Sequence, residues 1–183
     1  MDALEWNVDH CECSLGYIFG SDPYQGAVGV KAYGSNGYSY YYLPAKLTSV
    51  AVVGTERIRS YAFYNCTTLT NVTIDANAKI IGYQAFRNCT GLKSIEIPNG
   101  VVSFGSNTFR GSGLEIIRVP LSVTEMTESK GWNFADCTSL HLAYIPRLFK
   151  GKLPESTFQN CASDLQVIYY DENMRFFDET LRT

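Results

Sequence analysis

Six cysteines and two histidines are the residues of this 183-residue chain best suited to metal or nucleophilic chemistry. Their spacing argues against both. His10, Cys11 and Cys13 lie together as a metal half-site would, yet His141 is the one histidine left to complete a tetrahedral set. A Cys11 or Cys13 thiolate with a histidine base would make a nucleophile, but neither sits in a recognised cysteine-enzyme pattern. Cys66, Cys89, Cys137 and Cys161 recur at one position of a repeated segment. Side chains stacked at one position point the same way, which suits neither a disulfide nor tetrahedral ligation. They read as buried free thiols filling a column of the core. The expectation is no catalytic residue, no metal and no cofactor. Asn65-Cys66-Thr67, Asn71-Val72-Thr73 and Asn88-Cys89-Thr90 match the glycosylation acceptor pattern. Two of these are the repeat's own Asn-Cys-Thr, so the match follows from the repeat.

The elements that position these residues come from that repeat. The segments AFYNCTTLTNVTI (62–74), AFRNCTGLKSIEIP (85–98), TFRGSGLEIIRVP (108–120), NFADCTSLHLAYIP (133–146) and TFQNCASDLQVIYY (157–170) align on Phe63, Phe86, Phe109, Phe134 and Phe158. These are 23, 23, 25 and 24 residues apart. Such a period is the mark of a stacked-repeat architecture. Each segment ends in an L-x-x-apolar-x-apolar run, whose final alternation is that of a half-buried strand. Pro98, Pro120 and Pro146 stop three of those runs. Parallel strands are expected near 50–52, 72–74, 95–97, 116–119, 143–145 and 167–170. Another apolar residue stands five before most of the phenylalanines: Ile58, Ile81, Phe104 and Leu153. The fourth repeat has Ser129 there, with Met126 as the substitute. One coil cannot bury enough apolar surface to fold alone, so stacking is obligatory.

The ends differ. Leu15 to Ile18 resembles an earlier strand, and the Gly/Ser/Tyr-rich stretch Gly20–Ser39 reads as a loop protruding from the first complete coil. The domain reading is one solenoid over 1–183: an atypical first repeat at 13–46, regular repeats at 47–170, and a cap or tail at 171–183. Composition narrows the partners. Eighteen acidic against 15 basic residues give a net charge of −3, without the basic excess of a nucleic-acid binder. No apolar run is long enough to span a bilayer. No signal peptide is visible at Met1–Glu5.

The motif A-F-x-N-C-T-x-L-x-x-[IV]-x-I-P resembles the BspA-type leucine-rich repeat of bacterial and protist surface proteins. Residues 47–170 carry that likeness strongly and 13–46 weakly. The LGYIFG (15–20) and YYLP (41–44) stretches are similar to inserts in repeat proteins of gut Firmicutes. The chain departs from the better-known leucine-rich repeat by placing Cys three residues before the first Leu. Its third repeat also has Ser112 for Cys and one loop residue fewer. The resemblance implies a leucine-rich-repeat solenoid: right-handed stacked coils with one parallel sheet of short strands and little regular helix. It also implies a secreted or cell-surface setting, with adhesion to a protein or glycan among relatives.

The outward positions of the strands bear on binding. If Leu69, Val72 and Ile74 point inward, the outward positions run Ser49 and Ala51, Asn71 and Thr73, Ser94 and Glu96, Ile116 and Arg118, Leu142 and Tyr144, Val167 and Tyr169. The face changes from small and polar to apolar and aromatic in the last three coils. Ile116, Arg118, Leu142, Tyr144, Val167 and Tyr169 are the candidate ligand-binding patch, since an apolar strip of that size calls for a cover. The cover is a protein or glycan ligand, the C-terminal segment, or a second copy or neighbouring domain. The leading reading is a non-enzymatic binding or adhesion module, with spacer coils presenting another domain as its alternative and an enzyme third.

Overall fold

Every coil turns on residues that tolerate a left-handed backbone. Asn65, Asn88, Asp136 and Asn160, each two residues after the repeat Phe, have φ near +60°, and Gly111 holds the same place in the third coil at +67°. Asn and Asp enter this region more readily than other non-glycine residues, because their short polar side chains bond locally. A second corner, two residues before the Phe, is also left-handed at Tyr61, Gln84, Asn107 and Trp132. The computed structural model that shows this describes residues 22–34, 37–126 and 131–173.

Two families of parallel strands run along the stack. The first comprises β3 (Ser49–Val52), β5 (Asn71–Ile74), β8 (Ile116–Arg118), β10 (Leu142–Pro146) and β11 (Gln166–Tyr170). The second is made of two-residue strands: β4 (Arg57–Ile58), β6 (Ile80–Ile81), β7 (Ser103–Phe104) and β9 (Glu125–Met126). These four pair in the order β4-β6-β7-β9. The apolar residues Ile58, Ile81 and Phe104 are the inward members of this second sheet. Met126 pairs with Phe104 and so takes their place in the fourth coil, while Ser129 lies outside the described residues. Among the described residues, helix is limited to two 3-10 turns, Arg147–Phe149 and Glu155–Phe158.

The repeat phenylalanines form one stack through the core. Successive ring centroids are 5.0, 5.4, 5.8 and 5.4 Å apart from Phe63 to Phe158, with planes within 11° of parallel. Four of the five are buried, and Phe158, in the last described coil, is half-buried.

The structure departs from the sequence expectation in the N-terminal stretch and at residues 95–97. The stretch read as a protruding loop instead enters an antiparallel hairpin that continues past it, β1 (Ala27–Gly34) with β2 (Gly37–Pro44), in register from Ala27 opposite Pro44 to Gly34 opposite Gly37. Its Val30 and Leu43 join the hydrophobic core, and the Asn65 amide donates to the Lys31 carbonyl at 2.6 Å. The hairpin thus closes the first coil. Residues 95–97 alternate as expected, with Ile95 and Ile97 buried, but form no ladder. The first sheet is therefore split into β3-β5 and β8-β10-β11. The third coil is also one residue short between Phe109 and Leu114. The join there is a Glu115 N–H bond to the Lys93 carbonyl, 2.8 Å, with a Lys93–Glu115 ion pair of 3.2 Å.

Candidate functional site

Register fixes the outward face of β8-β10-β11. Leu142 lies between Ile116 and Gln166, and Tyr144 lies between Arg118 and Ile168. Ile116, Arg118, Leu142, Tyr144 and Ile168 are half-buried, while Gln166 is exposed. Four of the six candidate residues thus meet on one face. Val167 and Tyr169 do not. They pair with Ala143 and Ile145, which are fully buried, and pack against the core. Leu165 follows Cys161 by four residues, where the Leu of the first, second and fourth repeats follows its Cys by three and Leu114 follows Ser112 by two. That extra residue slips the strand by one position, and a one-residue slip exchanges the two faces. Leu165, Val167 and Tyr169 point in, and Ile168 takes the outward place. The Cys-to-Leu spacing was the signal that could have found it.

Tyr170 borders the patch. Its hydroxyl donates to the Val119 carbonyl two coils away at 2.6 Å, and the Arg118 guanidinium lies 5.1 Å from its ring centroid. This is cation–π geometry, and the pairing fixes Arg118 beside Tyr144. The other half of the face is different in kind. Asn71 donates to Ser49 Oγ at 3.1 Å across β3 and β5, and Ala51 pairs with Thr73.

The thiols have a different task. Cys89, Cys137 and Cys161 donate to the carbonyls of Phe63, Phe109 and Phe134 in the preceding coil, at 3.0, 3.1 and 3.1 Å. All four described cysteines are free. Burial pushes the Cys66 and Cys161 thiols up to about 12 and raises Cys89 and Cys137 as well. A thiol held protonated is a poor nucleophile. No group of three or more metal-ligating side chains occurs among the described residues. His10, Cys11 and Cys13 lie outside them. Beside the thiols runs a polar ladder. Asn88 donates to Asn65 Oδ1 and Asn160 to Asp136 Oδ1, both at 2.8 Å, and Arg110 donates to Asp136 Oδ2 at 2.7 Å.

The profile of the BspA type Leucine rich repeat region matches residues 56–181 in six copies. The chain belongs to the BspA-type leucine-rich repeat family. Among solved structures, a leucine rich cell surface protein from Faecalibacterium prausnitzii A2-165 is similar at 25% identity and a TM-score of 0.62, over 84% of this chain. A leucine-rich repeat protein from Bacteroides ovatus ATCC 8483 is similar at 21% identity and a TM-score of 0.52, over 80% of this chain. The chain spans 42% and 44% of those two proteins. No curated protein matches it significantly. Among the described residues of this BspA-type solenoid, no helix is long and apolar enough to cross a membrane.

Proposed function

We propose that these coils are a non-enzymatic binding or adhesion module of a bacterial cell-surface or secreted protein, engaging a protein or glycan through the β8-β10-β11 face. One observation carries the reading: Ile116, Leu142, Tyr144 and Ile168 adjoin in register on an outward sheet face, with Arg118 anchored beside them. Outward positions of a sheet ordinarily hold polar residues, as Asn71 and Thr73 do in this same chain. Tyrosine and arginine are the residues most enriched among binding hot spots. The description of the Faecalibacterium relative as a cell surface protein supports the location.

The test is a screen of the fragment against immobilised host matrix proteins and a glycan array, with Leu142→Ala/Tyr144→Ala in parallel. Loss of both anchors should weaken a true contact by about 2–4 kcal/mol without altering the fold. Equal binding by both proteins would move the site elsewhere. A fragment that holds none of the probes would favour spacer coils that present another domain.

A further inference from the structure

We infer that the solenoid carries a second binding site, a groove over the outer face of the short-strand sheet, shaped for a neutral linear glycan. Pairing of β4, β6, β7 and β9 places Ile58, Ile81, Phe104 and Met126 in one inward row. The opposite row is Arg57, Ile80, Ser103 and Glu125, which lines the groove. Next to this row the coils turn through Gly82 and Gly105. A Cβ at either would stand 2.6 or 2.4 Å from the backbone of the preceding coil, so this part of the floor is bare backbone. The far wall is built by residues 148–154 of the last described coil, which leave the sheet without adding a fifth short strand.

The chemistry of the lining selects the ligand. The hydroxyls of Ser60, Ser103, Ser106 and Thr124 each donate and accept, as the hydroxyls of a sugar do. Tyr83 is 39% exposed, and its ring makes a T-shaped contact with Tyr61, centroids 5.4 Å apart. It is an oriented aromatic platform for the C–H face of a pyranose. Arg57 and Lys152 against Glu125 leave the lining one positive charge in excess, with both signs present, a weak field for selecting a polyanion. The groove runs across successive coils, which suits a chain of sugars better than one compact molecule. None of these residues belongs to the β8-β10-β11 face, so the inference stands independently of that site.

The experiment is calorimetric titration of the fragment with chito-, cello-, malto- and xylo-pentaose. Variants are Tyr83→Ala, Tyr83→Phe and Ser103→Trp, with Tyr40→Ala, an exposed tyrosine of the hairpin outside both faces, as the control and thermal melts confirming folding. The expected result is saturable binding to at least one pentaose. Tyr83→Ala should weaken it about tenfold and Tyr83→Phe should retain it. Ser103→Trp should block it, and Tyr40→Ala should leave it unchanged. Binding to none of the four overturns the inference, as does binding that Tyr83→Ala and Ser103→Trp leave unchanged.

Discussion

Cys89 and Cys137 each donate to a phenylalanine carbonyl one coil away, and this bond explains why the repeat carries a cysteine there. A serine fits the same place: Ser112 lies 3.3 Å from the Cys137 sulfur in the coil without a thiol. Burial and protonation together predict slow chemistry. Cys66, Cys89 and Cys137 should resist maleimide labelling at neutral pH until denaturant unfolds the chain, followed by mass spectrometry of the labelled peptides. Rapid labelling of Cys89 in the folded protein would contradict its burial. Asp136 joins two coils through its carboxylate, which accepts from Arg110 and Asn160. The Asn160 amide and the Arg110 guanidinium hold its carboxyl below the usual carboxylate range. A group whose folded value is depressed contributes stability above its unfolded value, near pH 4, and loses it as pH falls through the folded value. Asp136→Asn should therefore lower the melting temperature at pH 7 and narrow the gap to wild type on acidification below about pH 4. A constant gap across that range would mean that the charge of Asp136 is immaterial.

Within one coil the stacked phenylalanine does most of the packing. Phe86 is fully buried and lies 5.0 and 5.4 Å from its two stacked neighbours, so Phe86→Ala should cost about 3–5 kcal/mol in denaturant unfolding through the cavity it leaves. A loss under about 1 kcal/mol would exclude it from the core. The slip of β11 is tested by a pair of substitutions on adjacent residues. Val167→Lys buries a charge against the core and should destabilise by more than about 2 kcal/mol, whereas Ile168→Lys should be tolerated. The reverse order would restore the unslipped register. That slip was legible only in the count from Cys161 to Leu165, because Gln-Val-Ile-Tyr-Tyr offers apolar residues to both faces. The asparagine corners were legible in principle from Asn-Cys-Thr. The second left-handed corner was not, since Tyr61, Gln84 and Trp132 are not residues that favour it.

Along the whole stack the two sheets differ in continuity. The short-strand sheet runs unbroken from β4 to β9, while the first sheet is interrupted at the second coil. Backbone amides outside a ladder lose the protection that pairing gives. Hydrogen exchange should therefore be faster at Ser94 and Glu96 than at Thr73 or Tyr144, the equivalent outward positions of paired strands. Equal protection would mean that the second coil is paired in solution. The break also separates the polar half of the face from the apolar half, so the proposed contact rests on one continuous three-stranded unit. The hairpin at the other end meets the first coil through Asn65 and the buried Val30 and Leu43. It shields an apolar coil end that would otherwise face water.

The sequence by itself determined the coil. A phenylalanine every 23 to 25 residues, a small polar corner after it and an alternating strand leave stacking as the way to bury both faces, and this follows from local pattern and chain length alone. It also determined that the regular cysteines are packing residues, because equivalent positions in a stack point the same way. Tertiary structure decided what depends on the relation between coils. Whether residues 95–97 join a ladder is decided by hydrogen bonding between coils, which the local alternation of Ile95 and Ile97 does not report. Which of Val167 and Ile168 faces outward is set by the pairing of β11 with β10. The groove beside Tyr83 exists because Gly82 and Gly105 lie flush on the coils beneath them and the last described coil leaves the short-strand sheet. Each is a matter of register between segments two dozen residues apart, which repeat spacing constrains but does not fix.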